Sequence, residues 1–123
     1  MKYVLAFVGP DRLDPLIEEL AEHHVHGLTV AEARGFGQEH DAGHPEHRDH
    51  EGVDLVRKLR IEVICGDGEV EDLLGAFYKA AHTGRRGDGK VFVLDVQDAL
   101  RLKTGERGEA ALGSPMSGRA RPM

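Results

Sequence analysis

The last third of this sequence gathers cations around glycines. Arg85-Arg86-Gly87-Asp88-Gly89-Lys90 forms one short run, and Arg101, Lys103 and Arg107 follow it closely. Glycines let backbone N–H groups turn toward an anion, and flanking cations neutralise it. Arg101 and Lys103 stand two apart on what reads as a strand, which directs their side chains the same way. Two cations opposite a glycine turn that carries a lysine suit a polyphosphate. The same residues also admit a plainer reading, a tight turn beside a solvated strand face. The run is not a Walker-type P-loop, because that spacing and the Ser or Thr after the lysine are missing.

A second group of chemistry-bearing residues lies mid-chain. His40, His44, His47 and His50 are interspersed with Glu39, Asp41, Glu46, Asp49 and Glu51. Imidazole and carboxylate together suit zinc, nickel or copper. Spacings of four, three and three would turn the histidines toward one side of a helical loop, although Gly43 and Pro45 oppose a regular helix. The competing reading is a polar loop that happens to be rich in histidine. His23, His24 and His26 read as companions of a helix end, and His82 as a residue ending a second helix. Cys65, in an apolar run, reads as a small buried hydrophobe.

The elements that must hold these groups follow from periodicity. Lys2–Val8 is apolar and β-prone, and Gly9-Pro10 breaks it. Asp11 or Asp14 is expected to cap a helix whose apolar face is Leu13, Leu16, Ile17, Leu20 and Ala21. Residues 28–36 read as a second strand. Leu59, Ile61 and Val63 alternate with Arg60 and Glu62 in a third. Val70, Leu73, Leu74, Phe77 and Ala81 line a second helix, whose first turn is acidic. Residues 91–96 read as a fourth strand, 97–100 as a short helical turn and 102–104 as an edge strand. The order β-α-β-β-α-β predicts a ferredoxin-like α+β domain over residues 1–112, with one sheet face uncovered. Self-association is the expected cover. Residues 37–58 carry no sustained period and predict a long projecting loop. Residues 113–123 predict a disordered tail.

Three runs resemble the P-II family of nitrogen regulatory proteins. They are Gly27-Leu28-Thr29-Val30-Ala31-Glu32-Ala33-Arg34-Gly35-Phe36-Gly37, Thr83-Gly84-Arg85-Arg86-Gly87-Asp88-Gly89-Lys90-Val91-Phe92-Val93, and Arg101-Leu102-Lys103-Thr104-Gly105-Glu106. The resemblance implies a homotrimer with ATP, ADP or AMP in clefts between subunits. It puts Gly87, Asp88, Gly89 and Lys90 around the phosphates, joined by Arg101 and Lys103. Thr29, Gly35, Gly37 and Ile64 would lie along the adenine and ribose. Gln38 stands where many members have an arginine that reaches the terminal phosphate. Residues 38–56 would be the T-loop that docks on a transporter, enzyme or transcription regulator. Glu39 replaces a glutamine that helps hold magnesium and 2-oxoglutarate, Gly9 replaces a lysine, and Lys58 is retained. The uridylylated tyrosine of some members is absent.

Composition bounds the alternatives. A net charge of −6 argues against nucleic acid as a general partner. The apolar runs are too short to span a bilayer, no signal peptide is read, and a single cysteine suits a reducing compartment, so a cytoplasmic protein is expected. No covalent cofactor is implied. The expected role is nucleotide-dependent regulation, by default in nitrogen control. The alternative is a metal- or bicarbonate-responsive regulator of another transport system. A nucleotide-hydrolysing enzyme fits less well, since no base is placed beside a nucleophile and the first serine is Ser114.

Overall fold

The computed structural model describes residues 1–36 and 55–113. Strand β1 (Lys2–Val8) leads through a 3-10 turn, Pro10–Arg12, into helix α1 (Leu13–Glu22). Strands β2 (Thr29–Gly35) and β3 (Val56–Cys65) follow, then helix α2 (Val70–Ala81) and strand β4 (Gly89–Asp95). The sheet order is β2-β3-β1-β4 and every neighbouring pair is antiparallel, the ferredoxin-like α+β arrangement.

Alternation decides which face of the sheet is covered. Val4, Ala6 and Val8 of β1 and Leu59, Ile61, Val63 and Cys65 of β3 are buried, and they pack with Leu16, Leu20, Leu73, Ala76 and Phe77 of the helices. The apolar spacing on each helix presents one stripe to that surface. Their register partners of opposite parity point to the uncovered face. Tyr3 stands opposite Ile64 and Leu94, Leu5 opposite Glu62 and Phe92, and Phe7 opposite Arg60 and Lys90. On that face Phe92 is 45% exposed and Leu94 47%, an apolar surface that no other described residue covers.

Several local expectations are corrected. Neither Asp11 nor Asp14 caps α1; Arg12 occupies that position without a side-chain bond, because the 3-10 turn already feeds the helix. Residues 97–100 form no helical turn, and 102–104 is a turn rather than a strand. The Arg101 N–H donates to the Glu106 carbonyl at 2.9 Å and the Gly105 N–H to the Arg101 carbonyl at 2.7 Å. Leu100 then bridges Arg107, so the segment folds back on itself. Gly105, at φ 80, supplies the left-handed backbone that this closure needs. Val56, read as the end of the long loop, is the first residue of β3. Gly113, read as the start of the tail, accepts from His26 Nδ1 at 3.1 Å, and the rest of the tail lies outside the described residues.

Candidate functional site

Residues 83–90 join α2 to β4 as a braced turn. The Asp88 carboxylate is turned in on the turn itself. Its carboxylate accepts from the Thr83 N–H at 2.7 Å, the Gly84 N–H at 2.9 Å and the Thr83 hydroxyl. Burial would raise the Asp88 carboxyl, but these hydrogen bonds outweigh it and hold the group below its ordinary value. Gly84, Gly87 and Gly89 all have positive φ. At Gly89 the need is absolute, because a Cβ would stand 1.8 Å from the Phe7 carbonyl oxygen across the β1–β4 pair. The turn thereby exposes Arg85, Arg86 and Lys90 while its shape is set from within. His82 stacks on Tyr78, with ring centroids 4.6 Å apart, and its Nδ1 lies 3.7 Å from Asp88.

Lys58 joins this turn to the first residues of β3. Its ammonium donates to the Gly87 carbonyl, while two residues earlier Val56 pairs with Gly35. The corner lined by Gly9, Asp11, Arg12, Lys58, Arg85 and Gly87 holds about 10 Å³ of free space. Asp11 fills part of it. A Cβ on Gly9 would lie 2.9 Å from Asp11 Oδ1, and Arg85 comes within 3.8 Å of the same carboxylate.

Thr29 and Ile64 lie elsewhere, in a groove of about 630 Å³ that Tyr3, His26, Glu62 and Leu112 also line. Glu62 accepts from the Tyr3 hydroxyl, with Arg60 Nε 4.0 Å away on its other oxygen. That bond is the main cause raising the Tyr3 phenol above its ordinary pKa, so the group stays a donor. Arg101 belongs to this side of the molecule. A Cβ on Gly113 would meet its guanidinium at 3.2 Å, and Gly113 is the residue held by His26. Arg101 also pairs with Glu106 at 3.7 Å. Lys103 is exposed on the turn, so the inference that a strand aligns it with Arg101 fails, although both still project from one short segment.

The predicted residues therefore fall into two groups. Gly87, Asp88, Gly89, Lys90, Lys58 and Gly35 gather toward one end of the sheet. Thr29, Ile64 and Arg101 gather at the other. Gly89 on β4 and Thr29 on β2 occupy opposite edges, three strands across and three residues along, or about 17 Å apart. One group offers cations on a glycine turn, which suits phosphate. The other offers hydroxyls, a carboxylate and an apolar wall, which suit a flat polar ring. Tyr3, Glu62 and His26 were missed as site residues because strand alternation had already accounted for Glu62 as water-facing. Their convergence depends on the β1–β3 register. Gly37, Gln38, Glu39, His40, His44, His47 and His50 lie outside the described residues. Among the described residues no helix is long and apolar enough to cross a membrane.

Comparison with known proteins accords with this architecture. Residues 1–106 match the family described as nitrogen regulatory protein P-II. The chain is 45% identical over 114 residues to nitrogen regulatory protein P-II of Mesorhizobium japonicum, which covers 91% of this chain and 100% of that protein. It is likewise 45% identical over 114 residues to the Azospirillum brasilense protein of the same name, with the same coverage. To nitrogen regulatory protein GlnK of Escherichia coli it is 40% identical over 114 residues, again covering 91% of this chain and 100% of that protein. With three motifs in order, the ferredoxin-like sheet and near-complete coverage, this chain belongs to the P-II family of nitrogen regulatory signal transducers.

Proposed function

We propose that the chain works as a homotrimer that binds ATP, ADP or AMP in clefts between subunits. Occupancy is relayed through residues 38–56 to a transporter or enzyme, in nitrogen regulation. The observation that carries this reading is the separation of the two groups. A ligand that uses both the Gly87–Lys90 turn and the Thr29–Ile64 groove draws them from different copies of the chain, since one copy holds them at opposite ends of its sheet. The open face bearing Phe92 and Leu94 supplies an apolar surface for assembly. Arg85, Arg86 and Lys90 supply charge for phosphate within an otherwise acidic protein.

Sedimentation tests the assembly and calorimetry with ATP, ADP and AMP tests the ligand. One site per subunit is expected. Arg101→Ala should weaken binding by about 1.5–3 kcal/mol, the range for a hydrogen bond to a charged group. A monomer that binds nucleotide at full affinity, or an Arg101→Ala variant indistinguishable from wild type, would refute the shared cleft.

A further inference from the structure

Asp11 puts a negative charge into the corner that the cation-bearing turn makes with the end of β1. Its Oδ1 lies against Gly9, where a Cβ would come within 2.9 Å of it. Its Oδ2 is shared by two guanidinium groups, Arg85 at 3.8 Å and Arg12 Nε at 3.9 Å. Both distances are those of ion pairs and exceed hydrogen-bond length. The Arg12 Nε–H is buried and has no hydrogen-bond partner among the described residues. Lys58 lines the same corner, where the free space is about 10 Å³, roughly one water-sized sphere. The other carboxylate there, Asp88, is committed to the Thr83 and Gly84 N–H groups. Asp11 has no such commitment to backbone donors. Its side chain is 35% exposed, so a rotation carries the carboxylate into solvent.

We propose that Asp11 is a specificity-determining residue: its carboxylate stands in for a ligand anion at Arg85 and disfavours the most highly charged nucleotides. The proposal rests on the nucleotide reading and names what sets the preference within it. A phosphate drawn to Arg85, Lys90 and the Gly87 turn approaches a carboxylate of like charge and takes Arg85 from it. The repulsion grows with ligand charge, and ATP carries more negative charge than ADP, which carries more than AMP. A phosphate oxygen at hydrogen-bonding distance from Arg85 makes a stronger contact than the long ion pair it replaces. Binding is therefore retained, and Asp11 changes the spacing between the three affinities. Gly9 takes part sterically, because the absence of a side chain leaves the carboxylate its room.

Calorimetric titration of the full chain with ATP, ADP and AMP in magnesium-free buffer tests this, with wild type beside the isosteric Asp11→Asn. The variant should gain about tenfold in ATP affinity, less for ADP and least for AMP. The gain for ATP should shrink as salt is raised, because the corner is partly open to solvent. Melting temperature and sedimentation establish that the variant is folded and assembled. Asp11→Ser removes the same charge and is held to the same result if Asp11→Asn does not fold. Equal gains for the three nucleotides, or an ATP affinity within twofold of wild type in the folded variant, overturn the role of Asp11 while leaving nucleotide binding intact. Wild type and variant binding none of the three overturn the proposed function itself.

Discussion

Asp88→Ala separates two roles that the sequence alone allows for this residue, ligand contact and internal brace. The carboxylate holds the Thr83 N–H at 2.7 Å, the Gly84 N–H at 2.9 Å and the Thr83 hydroxyl. Gly84 is exposed, so its N–H regains water when the carboxylate is removed. Thr83 is half-buried and its N–H is left poorly satisfied. Hydrogen bonds to charged groups are worth about 1.5–3 kcal/mol each. Counting the Thr83 bond fully and the others as mostly replaced by water gives a loss of about 2–3 kcal/mol. For a domain of this size that lowers the melting temperature by about 8–12 °C. The folded-state pKa of Asp88 lies below its ordinary value. Its contribution is thus present above about pH 4 and is lost as pH falls through the depressed pKa. Thermal unfolding at fixed protein concentration, at neutral pH and near pH 3, measures both effects. Wild type should lose its advantage over the variant on the acid side. A neutral-pH melting temperature within about 1 °C of wild type would refute the brace.

Gly89→Ala should cost about 3 kcal/mol or more, since it combines a forbidden backbone with a clash on the Phe7 carbonyl. Gly84→Ala, at φ 83 with its nearest neighbour at 4.0 Å, should cost only about 1–2 kcal/mol; equal losses in denaturant titration would contradict this account of the turn. His23 places Nδ1 2.6 Å from Asp72 and Nε2 3.1 Å from Glu19, whose other oxygen meets Lys79 at 3.4 Å. Two carboxylates on both ring nitrogens require the imidazolium, and the Asp72 bond foremost raises the His23 pKa. This α1–α2 clasp is therefore complete below about pH 6.5 and is lost as pH rises through the raised pKa. His23→Gln should remove about 1 kcal/mol of stability at pH 6 and much less at pH 9, and a pH-independent difference would exclude the clasp. For the loop histidines, zinc, nickel and copper titration of wild type beside His44→Ala/His47→Ala should show affinity tighter than about millimolar in wild type alone and weaker as pH falls through about 6.5; equal binding by both would leave the histidines as solvated polar residues.

What was legible in the sequence was what periodicity controls. Leu16 and Leu20 on α1, Leu73 and Phe77 on α2, and the alternating Leu59, Ile61 and Val63 on β3 are buried where their spacing puts them. The segment after β4 was misread, because Leu100, Leu102 and Lys103 resemble a strand while the Gly105 turn and the Arg101–Glu106 backbone bond fold them back. Leu102 is 91% exposed in consequence. Asp88 illustrates the same limit within the site. Its place in a Gly-Asp-Gly run marked the turn correctly, yet whether its carboxylate faces outward or in toward Thr83 depends on the course of the chain five residues away. Tyr3 and Glu62 are separated by 59 positions, so no local pattern brings them together.

On the proposed reading, the strand ends that flank residues 36–55 link the cation-bearing turn to a partner. Gly35 and Val56 pair across β2 and β3, so the chain leaves β2 and enters β3 at adjacent points. Lys58 stands two residues beyond that pair and its ammonium already holds the Gly87 carbonyl. On the proposed reading, a phosphate at the Gly87–Lys90 turn competes with that carbonyl for the same cation, and the cation belongs to β3, the strand that follows residues 38–55. No displacement of the buried layer formed by Val4, Ala6, Leu59 and Ile61 is required. A close-packed core resists small displacements, whereas an ammonium on a flexible four-carbon stem redirects its hydrogen bonds by side-chain rotation. On the same reading the exchangeable contact, Lys58 to the Gly87 carbonyl, lies two residues from the Gly35–Val56 pair, while the close-packed interior stays as it is.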